Sequence, residues 1–281
     1  MKICAISDLH HPHNQALVEH YKPQMKASDV IVIAGDISSD ETKYAEVLKS
    51  FREFKGLKIT VLGNHDLYTE PYEDSFDKIR RLEEICTENG FHLLDTTPVV
   101  GDVSFVGNIG WYDYQFAYTN IQTPVAILKS GEAKTKLLTE FTDEDFAAKN
   151  YLISNGRLRR HIWEDINHIH WNFSDKEFLA LQAENLRKQL QKVSQAKQIV
   201  YVSHHIPIPE FIYSRNEDPV WSLFNAYQGS PELGKIAFSD PRLRLVICGH
   251  SHIPNNTKIG NVDCHDVSHE LGMLRPRFIE I

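Results

Sequence analysis

Five short polar clusters, each closing an apolar run, constrain this chain more than any other feature: Asp8-Leu9-His10, Gly35-Asp36, Gly63-Asn64-His65-Asp66, His204-His205 and Gly249-His250-Ser251-His252. The runs ahead of them (3–7, 30–34, 58–62, 199–203 and 243–248) are short and apolar, the pattern of strands buried on both faces. Helical spacing separates the early ones, over 14–21, where Pro23 is expected to limit the helix, then over 41–54 and 72–88. The last ends at Asn89-Gly90, and glycine suits a helix C-cap. Strands alternating with amphipathic helices predict an α/β domain, a sheet covered by helices. In such folds the side chains at the carboxyl ends of strands gather in one crevice. The clusters bring to that crevice carboxylates, imidazoles and an amide carbonyl, the donors that two neighbouring divalent cations take. A glycine stands directly before ligand candidates in three clusters, which reads as freedom to adopt turn angles closed to other residues.

A chain of 281 residues, 42% of them hydrophobic, is long enough for one large core and too apolar to be disordered. Its net charge of −8 argues against a general nucleic-acid binder, which carries a basic excess. Bound cations would add local positive charge that this count misses. More than half of the 15 histidines lie in or beside the clusters. The cysteines Cys4, Cys86, Cys248 and Cys264 form no C-x-x-C pair, so disulfides and zinc fingers are not expected. The chain opens directly on a strand and no apolar run reaches membrane-spanning length, so a cytoplasmic protein is expected.

The strand–helix alternation loosens over 111–173, a stretch rich in aromatics and charges. It is expected to form a cap inserted into a single domain spanning 1–281, built from short helices around 143–152 and 159–168. Ser174 and Glu177 then make a capping box for a long helix. Segments 231–238, 257–259, 262–265 and 277–281 read as a short helix followed by antiparallel strands. Inside the insertion, His161, His168 and His170 do not share one helix face, and Arg157, Arg159 and Arg160 read as an exposed charge run. Trp111 and Tyr112 are candidates either for stacking on a substrate ring or for core packing, and His11 and His13 are loop residues near the first ligands.

Taken in order, the clusters resemble the calcineurin-like metallophosphoesterase superfamily, whose pattern runs D-x-H, G-D, G-N-H-[DE], H and G-H-x-H. G-N-H-D together with G-H-x-H is the specific part, and the similarity covers the chain apart from the insertion. The resemblance implies a four-layer α/β/β/α sandwich with a helical insertion. It implies one divalent ion (Mn, Fe, Zn or Co) on Asp8, His10 and His252, another on Asn64, His204 and His250, and Asp36 bridging with an oxygen for each. His65 would not bind metal but would donate a proton to the leaving alkoxide. His204 is favoured over His205, which is expected to face substrate. Where relatives place a carboxylate to support the proton-donating histidine this chain has Ser39, so Asp40 or Asp66 is expected to take that part. The implied activity is hydrolysis of a small phosphomonoester or phosphodiester. Weighed beside it are a nuclease, a nucleotide pyrophosphatase (relatives of that type typically lack the histidine kept here as His65) and a non-catalytic scaffold, which would tend to lose ligands.

Overall fold

The computed structural model describes residues 1–117, 122–129, 131–154, 157–213, 218–270 and 273–281. The first third runs β1 (Lys2–Ile6), α1 (Gln15–Met25), β2 (Val30–Ala34), α2 (Glu41–Lys49), β3 (Leu57–Val61), α3 (Ser75–Glu88), β4 (His92–Leu93) and β5 (Val103–Asn108). The insertion holds β6 (Pro124–Lys129), β7 (Glu132–Leu137), α4 (Asp143–Ala147), β8 (Asn150–Ser154), β9 (Leu158–Ile162) and α5 (Asp165–His168). The remainder is α6 (Asp175–Lys192), β10 (Gln198–Ser203), α7 (Pro219–Phe224), α8 (Pro231–Phe238), β11 (Leu243–Cys248), β12 (Asn255–Ile259), β13 (Val262–Asp266) and β14 (Arg277–Glu280).

Two five-stranded sheets form the frame, ordered β14-β1-β2-β3-β4 and β12-β13-β11-β10-β5. Within each, four strands are parallel, and β14 and β12 add antiparallel edges. The strand alternation explains why these runs are apolar throughout. Ile3, Ala5, Val30, Val32, Ile59 and Val61 share one buried cluster with Phe105, Val200, Val202, Leu245 and Ile247, the layer between the sheets. Their neighbours Cys4, Ile6, Ile31 and Ile33 pack instead with Tyr44, Val47, Leu48 and Leu82 of α2 and α3. On the other side Tyr201 and Val246 pack with Phe178, Leu186 and Leu233 of α6 and α8. The result is the α/β/β/α sandwich.

Two local expectations change. Helix α1 runs through Pro23 to Met25, because Met25 is buried and the chain recovers a bond from the Lys26 N–H to the Lys22 carbonyl. The insertion is chiefly a third sheet, antiparallel and ordered β7-β6-β8-β9, with only short helices beside it. The helix expected over 143–152 stops at Ala147, and Lys149, with φ of 50°, turns the chain into β8. Only the inner strands bury alternate residues, Val125 and Ile127 on β6 and Tyr151 and Ile153 on β8. The edge strands β7 (Glu-Ala-Lys-Thr-Lys-Leu) and β9 (Leu-Arg-Arg-His-Ile) are largely exposed, so no apolar period marks them. Among the described residues, no helix is long and apolar enough to cross a membrane.

Candidate metal centre

All five clusters sit where parallel strands end, and the two sheets bring those ends together. Asp8 and His10 follow β1, Asp36 follows β2, Asn64 and His65 follow β3, His204 follows β10, and His250 and His252 follow β11. Five of these residues carry the backbone strain themselves: φ is 54° at Asp8, 42° at His10, 53° at Asp36, 74° at His250 and 57° at His252. Asp, Asn and His tolerate this left-handed region better than most residues, and strain of this kind collects at functional sites. The glycines serve differently from expectation. Of Gly35, Gly63 and Gly249, only Gly35 takes a positive φ; a Cβ at Gly249 would lie 1.9 Å from Ser7 Oγ, so what is needed there is space rather than a turn angle.

Each of three histidines fixes one ring nitrogen on a main-chain carbonyl: His204 Nδ1 on Ala34 at 2.9 Å, His250 Nε2 on Tyr227 at 3.2 Å and His252 Nδ1 on His269 at 3.0 Å. In a neutral ring the nitrogen that donates there leaves the other as an acceptor, and in all three this second nitrogen turns inward. His204 Nε2 lies 3.1 Å from His250 Nδ1, 3.2 Å from Asn64 Oδ1 and 3.4 Å from Asp36 Oδ2. On the other side His252 Nε2 is 3.7 Å and His10 Nε2 4.0 Å from Asp8 Oδ1. Asp8 Oδ1 and His10 Nε2 are buried and have no hydrogen-bond partner among the described residues. Lone pairs packed this closely repel one another unless a proton or a metal cation lies between them. The ligand atoms of Asp8, His10 and His252 lie within 4.8 Å of one another, as do those of Asp36, His204 and His250; either group could hold a metal ion. The donor chemistry therefore fits divalent cations.

The electrostatics agree. Burial works to lower the pKa of His204, yet the Asp36 carboxylate in contact with it, helped by Asp8, pushes it up to about 10. The ground around Asp36 thus calls for positive charge. Burial likewise drives the His10 imidazole down to about 4 against the pull of Asp36 and Asp8, which keeps it neutral. Asp36 Oδ1 accepts the His65 N–H at 2.9 Å, while Oδ2 lies 3.6 Å from His10 Nε2 as well as beside His204. Oδ2 thus lies near both His10 and His204.

His65 forms a third such group with His10 and Asp36, ligand atoms again within 4.8 Å of one another; its side chain is 40% exposed at the mouth, with Nε2 4.0 Å from Asp36 Oδ2. It opens on a cleft of about 340 Å³ shared with His10, His252, His11, His13, Ser38 and Ser39. Neither expected carboxylate supports it. Asp66 is buried and accepts the N–H groups of Ile37, Ser38 and Gly63, tying the β2 and β3 loops together. Asp40 lies at the surface and caps α2 by accepting from the Lys43 N–H. His205 does not face the cleft: it is buried, its Nδ1 bonds the Ile109 carbonyl at 3.0 Å and its ring packs on Trp111, Tyr112 and His250. Trp111 and Tyr112 are wholly buried and serve packing rather than substrate stacking. One residue that no sequence pattern singles out is Asp165, buried in the insertion and bonded to Asn64 Nδ2 at 2.8 Å. No motif surrounds it, and only its three-dimensional neighbours mark it.

A model of the calcineurin-like phosphoesterase family matches residues 1–254. No curated relative matches by sequence. Among solved structures, the chain is similar to the phosphopantetheinyl hydrolase PptH of Mycobacterium tuberculosis, with 20% identity, a TM-score of 0.69, and 96% of this chain and 90% of that one covered. It also resembles TT1561 of Thermus thermophilus, at 13% identity and a TM-score of 0.51 over 96% of this chain and 90% of that one. At such identities the structural likeness concerns the fold. The family match runs from the first strand through the last of the five clusters, and the chain belongs to the calcineurin-like phosphoesterases.

Proposed function

We propose that this protein hydrolyses small phosphate esters with two divalent cations, one held by Asp8, His10 and His252, the other by Asn64, His204 and His250, with Asp36 Oδ2 shared between them. The observation that carries the reading is the inward turn of three histidine nitrogens, each locked by a carbonyl behind it, onto the oxygens of Asp8, Asp36 and Asn64. A pair of ions held by these residues would lower the pKa of bound water and neutralise charge on the phosphate oxygens. The chain's own groups do the rest. Asp36 is held in place by the His65 N–H. The imidazole of His65, at the open mouth, donates a proton from Nε2 to the departing alkoxide. His11, His13, Ser38 and Ser39 form the wall against the remainder of the substrate. Mixed nitrogen and oxygen donors suit Mn, Fe, Zn or Co alike.

A cleft of about 340 Å³ is of a size for a small molecule, and the net charge of −8 disfavours a nucleic-acid substrate. Four free, buried thiols fit a reducing compartment, the cytoplasm. The test is hydrolysis of bis-p-nitrophenyl phosphate against p-nitrophenyl phosphate with Mn²⁺, with a phosphopantetheinyl compound in the panel because one structural neighbour is named a phosphopantetheinyl hydrolase. Release from the diester marks a phosphodiesterase and release from the monoester a phosphatase. A protein that holds two ions and cleaves nothing in the panel would support the scaffold instead.

A further inference from the structure

We infer that Asp165, on the insertion, is a positioning residue that sets the orientation of the Asn64 amide and so completes the second of the two cation sites. This rests on the dinuclear reading above. Asp165 lies at the start of α5, far from β3 in sequence, yet its carboxylate is buried against the loop that follows β3. Four donors converge on its two oxygens. Asn64 Nδ2 and Tyr68 OH reach Oδ1 at 2.8 and 2.9 Å. Tyr112 OH and Trp163 Nε1 both reach Oδ2 at 2.8 Å.

The chemistry of those four bonds forces the geometry at the metal centre. An ionised carboxylate only accepts, so the group that Asn64 presents to it must be the NH₂. The amide carbonyl is thereby turned the other way, to 3.2 Å from His204 Nε2, where it joins the second group of donors. Without Asp165 either face of the amide could point at the cation site, and an NH₂ there would offer no lone pair. The Trp163 indole, an obligate donor, and the two tyrosines hold the carboxylate so that it cannot swing away. Trp163 and Asp165 belong to the insertion while Asn64 and Tyr68 belong to the sandwich, so the insertion helps to build the centre it packs against.

The isosteric change Asp165→Asn makes a sharp test. The new side chain has one acceptor and one NH₂ for four incoming donors. Trp163 can only donate, so it keeps the oxygen; the NH₂ is left facing Asn64, which must turn its own carbonyl toward it and its NH₂ toward the cations. Co²⁺ titration followed by absorption and calorimetry on the whole protein reads the two sites separately from turnover. The wild type is expected to take up two ions. Asp165→Asn is expected to keep the first and bind the second about 10- to 100-fold more weakly, the usual cost of losing an outer-shell partner. Adding Asn64→Asp to that variant should restore the second ion, because a carboxylate on the β3 loop can accept from the introduced NH₂ with one oxygen and bind metal with the other. Unchanged second-ion affinity in Asp165→Asn, or failure of the added Asn64→Asp to restore it, overturns the assignment while the dinuclear reading stands. A wild type that takes up fewer than two ions overturns both.

Discussion

The His65 main-chain N–H donates to Asp36 Oδ1 at 2.9 Å, while Oδ2 is the oxygen that lies beside His10 and His204. The loop can approach so closely only because residue 63 is glycine: a Cβ there would stand 2.1 Å from Asp36 Oδ1 and 2.4 Å from Asp36 N. Gly63→Ala should therefore push the β2 and β3 loops apart. We expect it to cost about 1–3 kcal/mol of stability, as overpacking does, and to lower bound metal together with activity. Thermal melts and elemental analysis of the same sample check this, and full metal content in Gly63→Ala would show that Asp36 is not held in this way.

In the proposed division of roles His65 lies outside both cation sites and opens on the cleft, although its ring nitrogen stands within ligand reach of His10 and Asp36. His65→Ala should keep both ions and slow turnover by about 10²- to 10⁴-fold, the range for a lost general acid. The loss should be smaller for p-nitrophenyl esters, whose leaving group needs little protonation, than for alkyl esters. Equal losses across leaving groups would remove the proton-donor role; a loss of metal would make His65 a ligand.

The adjacent histidines make opposite predictions. His204 Nε2 faces Asn64, Asp36 and His250, whereas His205 points away and packs on Trp111 and Tyr112. His204→Ala should lose one of two bound ions by elemental analysis. His205→Ala should retain both and lose packing instead, about 2–5 kcal/mol for emptying a core site of this kind. The reverse metal contents would exchange the two assignments.

What the sequence makes legible follows from where its information is local. Asp8, Asp36, Asn64, His204 and His250 each follow an apolar strand, so period and motif are enough to place them together. The strands β7 and β9 leave no such trace: they are exposed edges held by pairing with β6 and β8, and a polar pentapeptide such as Leu158 to Ile162 looks the same in a loop. Asp40 and Asp66 mislead for a related reason. Both stand close to the site in sequence, but one caps a surface helix and the other stitches two loops. Asp165, distant along the chain, is the carboxylate that reaches Asn64. Support of one side chain by another so far along the chain is a property of the fold, and no local pattern encodes it.

The insertion should loosen in acid at an identifiable point. Asp145 joins β7 to α4: its carboxylate pairs with Lys136 and accepts the Thr142 N–H at 2.8 Å and the Thr142 hydroxyl at 2.9 Å. Burial works to raise its pKa, but the Lys136 ammonium and the two Thr142 bonds outweigh this and hold it below the ordinary 3.8. A depressed carboxyl stabilises the folded form fully above the unfolded-state value, and that stabilisation drains away as pH falls through 3.8 toward the folded-state pKa. Amide exchange at Thr142 and along β7 should accordingly quicken below about pH 4, once corrected for intrinsic rates, while exchange in β1 and β2 lags behind. Asp145→Asn should show the faster exchange already at neutral pH and lose the acid step. An insertion whose protection falls in parallel with that of β1 and β2, with or without Asp145, would mean that this carboxylate does not hold it.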